Sequence, residues 1–278
     1  MFRFFLIALA AISVSACSGS TFHLPETTSA DITNAQKKIE ASKQPLKTYE
    51  RSDKEYQAKL ASITKRLTQN IRPLCVHTGY TSCRFDVMYN AEDAVNAYAD
   101  GNSDITLYRG ILQHLQTDDE IAAVIAHEMG HHLANHITKG IDNAAAGAAA
   151  AGILVSLTSG MASIDTPHYN THSRQNQEKS FDDMLNIGAE LGSISYSKEQ
   201  EREADLLAVY LLERAGYNLE RAQNIMVAII NISNNDLSAR SALFDTHPVT
   251  IERIAMWEKA TKEVRSNKSK LPYKKEGK

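Results

Sequence analysis

His127, Glu128 and His131 lie in a run built for a helix, and their spacing constrains this chain more than any other feature. Thr117-Asp118-Asp119-Glu120 has the form of a capping box, in which Thr117 and Glu120 satisfy each other's backbone N–H groups. The Ala- and Ile-rich residues that follow predict a helix that stops before Gly140. Residues four apart share one helix face, so His127 and His131 aim two imidazoles at one point. Glu128 sits about 100° round the helix, near enough to reach a water bound at that point. Two nitrogen donors, an open position and a carboxylate base are what catalytic zinc requires.

Two imidazoles and a water leave Zn²⁺ one protein ligand short. A metzincin would continue with glycine at position 134 and histidine at 137, where Ala134 and Ile137 stand. A deformylase-like site would take an upstream cysteine, but the residues around Cys83 lack the flanking glycine and leucine of that pattern. The remaining continuation is a Glu-x-x-x-Asp helix, and Glu201-Arg202-Glu203-Ala204-Asp205 supplies it. Glu201 and Asp205 share a face, the first able to bind the metal and the second to fix the tautomer of a ligand histidine.

These motifs, followed by Thr246-His247-Pro248 and Arg253, resemble the HtpX-like gluzincin metallopeptidases (peptidase family M48), closest to their small periplasmic lipoprotein branch. Asn96-Ala97-Tyr98-Ala99 and Ile105-Thr106-Leu107-Tyr108 resemble that family's strands before the active-site helix, and the likeness runs from about residue 50 to 260. It implies that His127, His131 and Glu201 bind one Zn²⁺, that Glu128 is the base, and that Asp205 supports a ligand. His247 falls where the family has a histidine near the metal, either as oxyanion donor or as a fourth ligand that closes the resting site. A histidine before Pro248 also suits a helix N-cap. Lys198, where the family often has arginine, lies outside the metal shell. The implied fold is α+β, a mostly helical thermolysin-like domain with a small sheet beside the active-site helix. The implied activity is endopeptidase cleavage of unfolded or extended polypeptides paired against a strand edge.

The remaining histidines and carboxylates carry blander expectations. His132 and His136 lie roughly 100° and 140° round the helix from His131, at the surface or behind the ligands. Glu199 and Glu203 fall on the side of their helix away from Glu201 and read as solvated. His77, His114, His168 and His172 have no partner at ligand spacing, and Tyr210 and Trp257 read as core.

Along the chain, Ala30 to Leu67 predicts one or two amphipathic helices. Leu74 to His77, Arg84 to Tyr89, Val95 to Ala99 and Asp104 to Tyr108 read as strands. Ser197 and Gln200 make a second capping box, opening a helix to about Gly216. Further helices are expected over Leu219 to Ile232 and from Pro248, as its first helical residue, to Val264. Asn143 to Ile164 has no charge and is dominated by Ala and Gly, with four Ser or Thr near its end. It suits a small-residue helix and loop near the site better than a membrane span. Thr166 to Phe181 reads as polar and mobile.

Met1 to Ala16 has Arg3, an apolar stretch, and then Val14-Ser15-Ala16-Cys17, which resembles a bacterial lipobox. Cys17 is thus the expected lipidation site, with residues 17–29 a linker, 30–265 the peptidase domain and 266–278 a basic disordered tail. Ser18 favours the outer membrane, the periplasm is the expected compartment, and the membrane is a partner through the lipid. Cys75 and Cys83, eight residues apart, suit a disulfide stapling a hairpin in that oxidising compartment. The net charge of −3 gives no reason to expect nucleic acid. The function expected is proteolytic quality control of envelope proteins. The rivals are an outer-membrane assembly factor with structural zinc and an integral membrane protease.

Overall fold

The computed structural model describes residues 19–42, 48–100, 102–142, 195–235 and 246–276. The expectations for Met1 to Ala16, Cys17, Asn143 to Ile164, Thr166 to Phe181, His168 and His172 lie outside the described residues.

Two helices open the fold, α1 (Ser29–Ala41) and α2 (Asp53–Thr78), each begun by a complete capping box, Thr28 with Asp31 and Ser52 with Glu55. Such a cap contributes about 1 kcal/mol. Helix α2 absorbs Leu74 to His77, which the local β-branched pattern had suggested as a strand. The apolar spacing of Ile63, Leu67, Ile71 and Leu74 continues one buried helical stripe past Pro73, and that tertiary face overrides local propensity. Gly79, at φ 83°, ends the helix in the left-handed region. Cys75 and Cys83 are joined by a disulfide, with Cα atoms 5.9 Å apart. It ties the last turn of α2 to the chain entering the sheet rather than stapling a hairpin.

The sheet comprises β1 (Asp86–Asn90), β2 (Ala97–Ala99) and β3 (Asp104–Tyr108) in the order β1-β3-β2. Strand β3 runs parallel to β1 and antiparallel to β2. A short turn, α3 (Arg109–Leu112), leads to α4 (Asp118–Leu133), the central helix, which packs against α2 and the sheet. Thr117 and Glu120 form the expected box: Thr117 N–H donates to Glu120 Oε2 at 2.7 Å.

Helix α4 stops at Leu133, earlier than expected. Asn135 adopts φ 56°, a conformation that asparagine tolerates better than most residues, and the chain is helical again over 136–142. This break re-aims every side chain after it.

Helix α5 (Lys198–Arg214), capped by Ser197 and Gln200, lies across α4. Gly130 permits that approach, since a Cβ there would sit 2.6 Å from the carbonyl oxygen of Ala204. The helix expected over Leu219 to Ile232 is two, α6 (Leu219–Ala222) and α7 (Asn224–Asn235). Gln223 at the break donates its side-chain amide to Ile254 O at 2.8 Å. Helix α8 (Ile251–Ser266) starts later than Pro248, because Thr250 accepts from Arg253 N–H as its N-cap. His247 is therefore not the cap. Trp257 and Tyr210 are buried, Trp257 donating to Leu219 O at 3.1 Å.

The residues after α8 are not a free tail as far as they are described. Phe22 bridges to Lys274, His23 N–H donates to Tyr273 O, and Lys275 N–H donates to Thr21 O. Phe22, 1% exposed, is buried there, and residues 20–22 and Lys275 lie against Glu199 and Glu203 of α5. The whole is a mostly helical α+β fold with a three-stranded sheet. No helix among the described residues is long and apolar enough to cross a membrane.

Candidate metal centre

Helix α4 turns His127, Glu128 and His131 toward α5, and the segment before α8 brings His247 to the same point. Four donor atoms converge there, one each from His127, His131, Glu201 and His247, all within 4.8 Å of one another. His127 Nε2 lies 3.1 Å from His131 Nε2 and 3.4 Å from His247 Nδ1. Glu201 Oε1 lies 3.2 Å from His131 Nε2 and 3.0 Å from His247 Nδ1, and its Oε2 lies 3.4 Å from His127 Nε2. A tetrahedral zinc site with bonds of 2.0–2.1 Å has edges of roughly 3.3–3.4 Å between ligand atoms. The donor set and its spacing fit Zn²⁺.

The electrostatics favour a cation. Burial opposes charge on His127, but the charge of Glu201, and then contact with Asp205, hold its pKa up at about 10. His131 is pushed well below its ordinary value by burial, against the pull of Glu201. Burial would raise Glu201, yet Arg253, then His247 and His127, keep it well below the usual carboxylate range. A field that favours a proton at His127 also favours a metal ion.

Behind the donors, Asp205 Oδ1 lies 2.9 Å from His127 Nδ1. Arg253 grips Asp205 with two hydrogen bonds, from Nε at 2.7 Å and Nη2 at 2.8 Å, and donates through Nη1 to Pro248 O at 3.1 Å. Its Nη1 also contacts Glu201. Glu128 is 1% exposed; its Oε1 lies 3.7 Å from His247 Nε2, and its Oε2 has no hydrogen-bond partner among the described residues. Beside it opens a cleft lined by Val124, Ile225, Met226, Ile229 and Trp257, with His127 and Glu128 at its polar end.

Four residues carry more than their spacing suggested. Arg253 was visible as part of the third motif but without a role. Tyr196, just before the α5 cap, stacks on His131 with ring centroids 3.7 Å apart, and nothing in the sequence marked it. Glu203, read as solvated, is 1% exposed and accepts from His136 and from the backbone of Thr21 and Phe22. The side of α5 away from Glu201 is covered by the N-terminal segment instead of water. His136 is likewise buried, because the break at Asn135 turns it back on His131, 3.0 Å away between Nδ1 atoms. His132, expected at the surface or behind the ligands, is buried against Tyr80 and Phe85. Glu199 is half-buried under Ser20 and Lys275.

The model of peptidase family M48 matches residues 54–261. The chain belongs to that family, and it is a metallopeptidase. It is 29% identical over 205 residues to metalloprotease LoiP of Escherichia coli (strain K12), covering 73% of this chain and 69% of that protein. It is 25% identical over 165 residues to the beta-barrel assembly-enhancing protease of Yersinia pestis, covering 59% of this chain but only 32% of that longer protein.

Proposed function

We propose that this chain is a zinc endopeptidase, tethered to the periplasmic face of the outer membrane by a lipid on Cys17, that degrades misfolded or damaged envelope proteins. The observation that carries the catalytic part is the meeting of four donor atoms, all within 4.8 Å of one another, beside a buried carboxylate oxygen with no hydrogen-bond partner among the described residues. His127, His131 and Glu201 would hold one Zn²⁺, and His247 Nδ1 stands where a fourth donor would. Bound there, Zn²⁺ would supply Lewis-acid polarisation of a water and of the scissile carbonyl. Glu128 takes the proton from the attacking water and hands it to the leaving amine. Asp205, itself held by Arg253, keeps the proton of His127 on Nδ1 and so leaves Nε2 free. An extended substrate would pair with the outer edge of β2, which has only β3 beside it among the described residues.

The distance of 3.0 Å from His247 Nδ1 to Glu201 supports the closing role over the oxyanion role, so substrate entry requires His247 to withdraw. That same observation favours a second reading. Four protein donors are also how structural zinc sites are built, which suits an assembly factor of the outer membrane with little proteolysis. The name of the Yersinia pestis relative, a beta-barrel assembly-enhancing protease, supports the link to assembly but keeps the proteolysis. The test is cleavage of unfolded casein by the purified chain, lost with a chelator and regained with Zn²⁺. Absence of cleavage by zinc-loaded protein would favour the assembly reading. Comparison of envelope proteomes from cells with wild-type and Glu128→Gln protein tests the quality-control role. Identical proteomes would reject it.

A further inference from the structure

We propose that His136 and Glu203 are positioning residues for His131, and that the N-terminal segment Ser20–Phe22 completes their support. This rests on the reading of His131 as a zinc ligand through Nε2.

The proton positions follow from that reading. If Nε2 of His131 offers its lone pair to the metal, its proton sits on Nδ1. His131 Nδ1 lies 3.0 Å from His136 Nδ1, so His131 donates and His136 accepts. The proton of His136 is then on Nε2, which lies 3.0 Å from Glu203 Oε2. Glu203 Oε1 accepts from Phe22 N–H at 3.1 Å and from Thr21 N–H. Every group has one consistent role: donation runs from His131 through His136 to Glu203, which accepts from the N-terminal backbone as well.

Burial gives the arrangement its force. His136 and Glu203 are each 1% exposed and His131 is fully buried. A buried carboxylate is costly unless donors satisfy it, and the three donors on Glu203 are one imidazole and two backbone amides. Removing the amides would leave Glu203 short and loosen its hold on His136. The segment that provides them is fixed in turn: Lys275 N–H donates to Thr21 O, and Lys275 Nζ donates to Ser20 Oγ at 2.7 Å. The two ligand histidines are thus supported differently. His127 meets a carboxylate directly, whereas His131 reaches one through a second imidazole.

The test is zinc affinity of the full chain, by competition with a chelator of known affinity, beside the absorption spectrum of the Co²⁺-substituted protein. His136→Ala and the isosteric Glu203→Gln are expected to weaken zinc roughly 10–100-fold and to shift the Co²⁺ bands. His136→Gln, whose amide offers an acceptor and a donor, should recover part of the loss. Thr21→Pro, which deletes one donor to Glu203, should weaken zinc several-fold, with Thr21→Ala as control. Wild-type affinity and spectrum in folded His136→Ala or Glu203→Gln would overturn the proposal, even if both variants melt earlier. Wild-type affinity in Thr21→Pro would remove the N-terminal segment from it. Failure of the wild-type chain to bind zinc would instead defeat the underlying metal reading.

Discussion

Helix α4 carries imidazoles on two faces, and His127 on one is treated in the opposite way to His132 on the other. Toward α5, His127 meets Glu201 and Asp205, and their charges hold its pKa at about 10 against burial. Toward the sheet, His132 lies against Phe85 and Tyr80, with ring centroids 5.4 and 6.1 Å away. Burial there pushes its pKa down to about 4, and its Nε2 has no hydrogen-bond partner among the described residues. The helix sets direction, but the element packed on each face sets the chemistry. The surroundings of His127 favour a cation, whereas those of His132 accept only the neutral ring.

The strongest way to break the contrast is to discharge the α5 side. Glu201→Ala should lose the metal on dialysis, because two imidazoles hold zinc far more weakly than three protein ligands. It also removes one of the two carboxylates that Arg253 contacts, while Asp205 stays to pair with the guanidinium. Metal analysis with thermal melts decides this, and stoichiometric zinc after dialysis would move the third ligand elsewhere. Glu128→Gln is the finer cut. It should keep zinc and lose proteolysis by roughly 10²–10⁴-fold, since an amide cannot take the water's proton. Casein cleavage at the wild-type rate would exclude Glu128 as base.

His247 sharpens the comparison by asking whether the α5 face is closed at rest. If His247 fills the fourth position and the open form is about a tenth of the population, His247→Ala should raise the rate roughly tenfold with zinc retained. A fall of roughly 10²–10³-fold would assign it to the oxyanion instead. Initial rates at equal zinc loading separate the two.

The α5 face was largely legible in the sequence, because its logic is local. The i and i+4 spacing of His127 with His131, and of Glu201 with Asp205, survives whatever the rest of the chain does. Capping boxes at Thr117 and Ser197 fixed where both helices begin. The rest depended on distant partners. Glu203 could not be told from a solvated glutamate without knowing that residues 20–22 return to cover α5. His136 could not be brought to His131 on an ideal helix, and one left-handed residue, Asn135, makes the difference. Leu74 to His77 looked like a strand because its neighbours in sequence said little of the stripe it completes on α2. Lys274 and Lys275 looked like solvated charge because their pairing with Phe22 and Thr21 spans the whole chain.

The smallest expected effect concerns the sheet face, where His132 should make the fold sensitive to acid. Its folded pKa of about 4 lies below the unfolded value of 6.5, so the unfolded chain binds the extra proton first as pH falls. The stability due to the neutral ring is therefore intact above about pH 6.5 and is lost progressively toward pH 4. Between pH 7.5 and 5.5 the loss comes to roughly 1 kcal/mol. Ligand protonation on the α5 face also destabilises in acid, but it is common to wild type and to His132→Leu. Denaturant unfolding of both proteins across that range isolates the His132 contribution as the difference in slope. The leucine variant should lose less stability on acidification, whatever its absolute stability at neutral pH. Parallel curves would mean that His132 takes up its proton inside the fold without cost, and the two faces of α4 would then differ in packing alone.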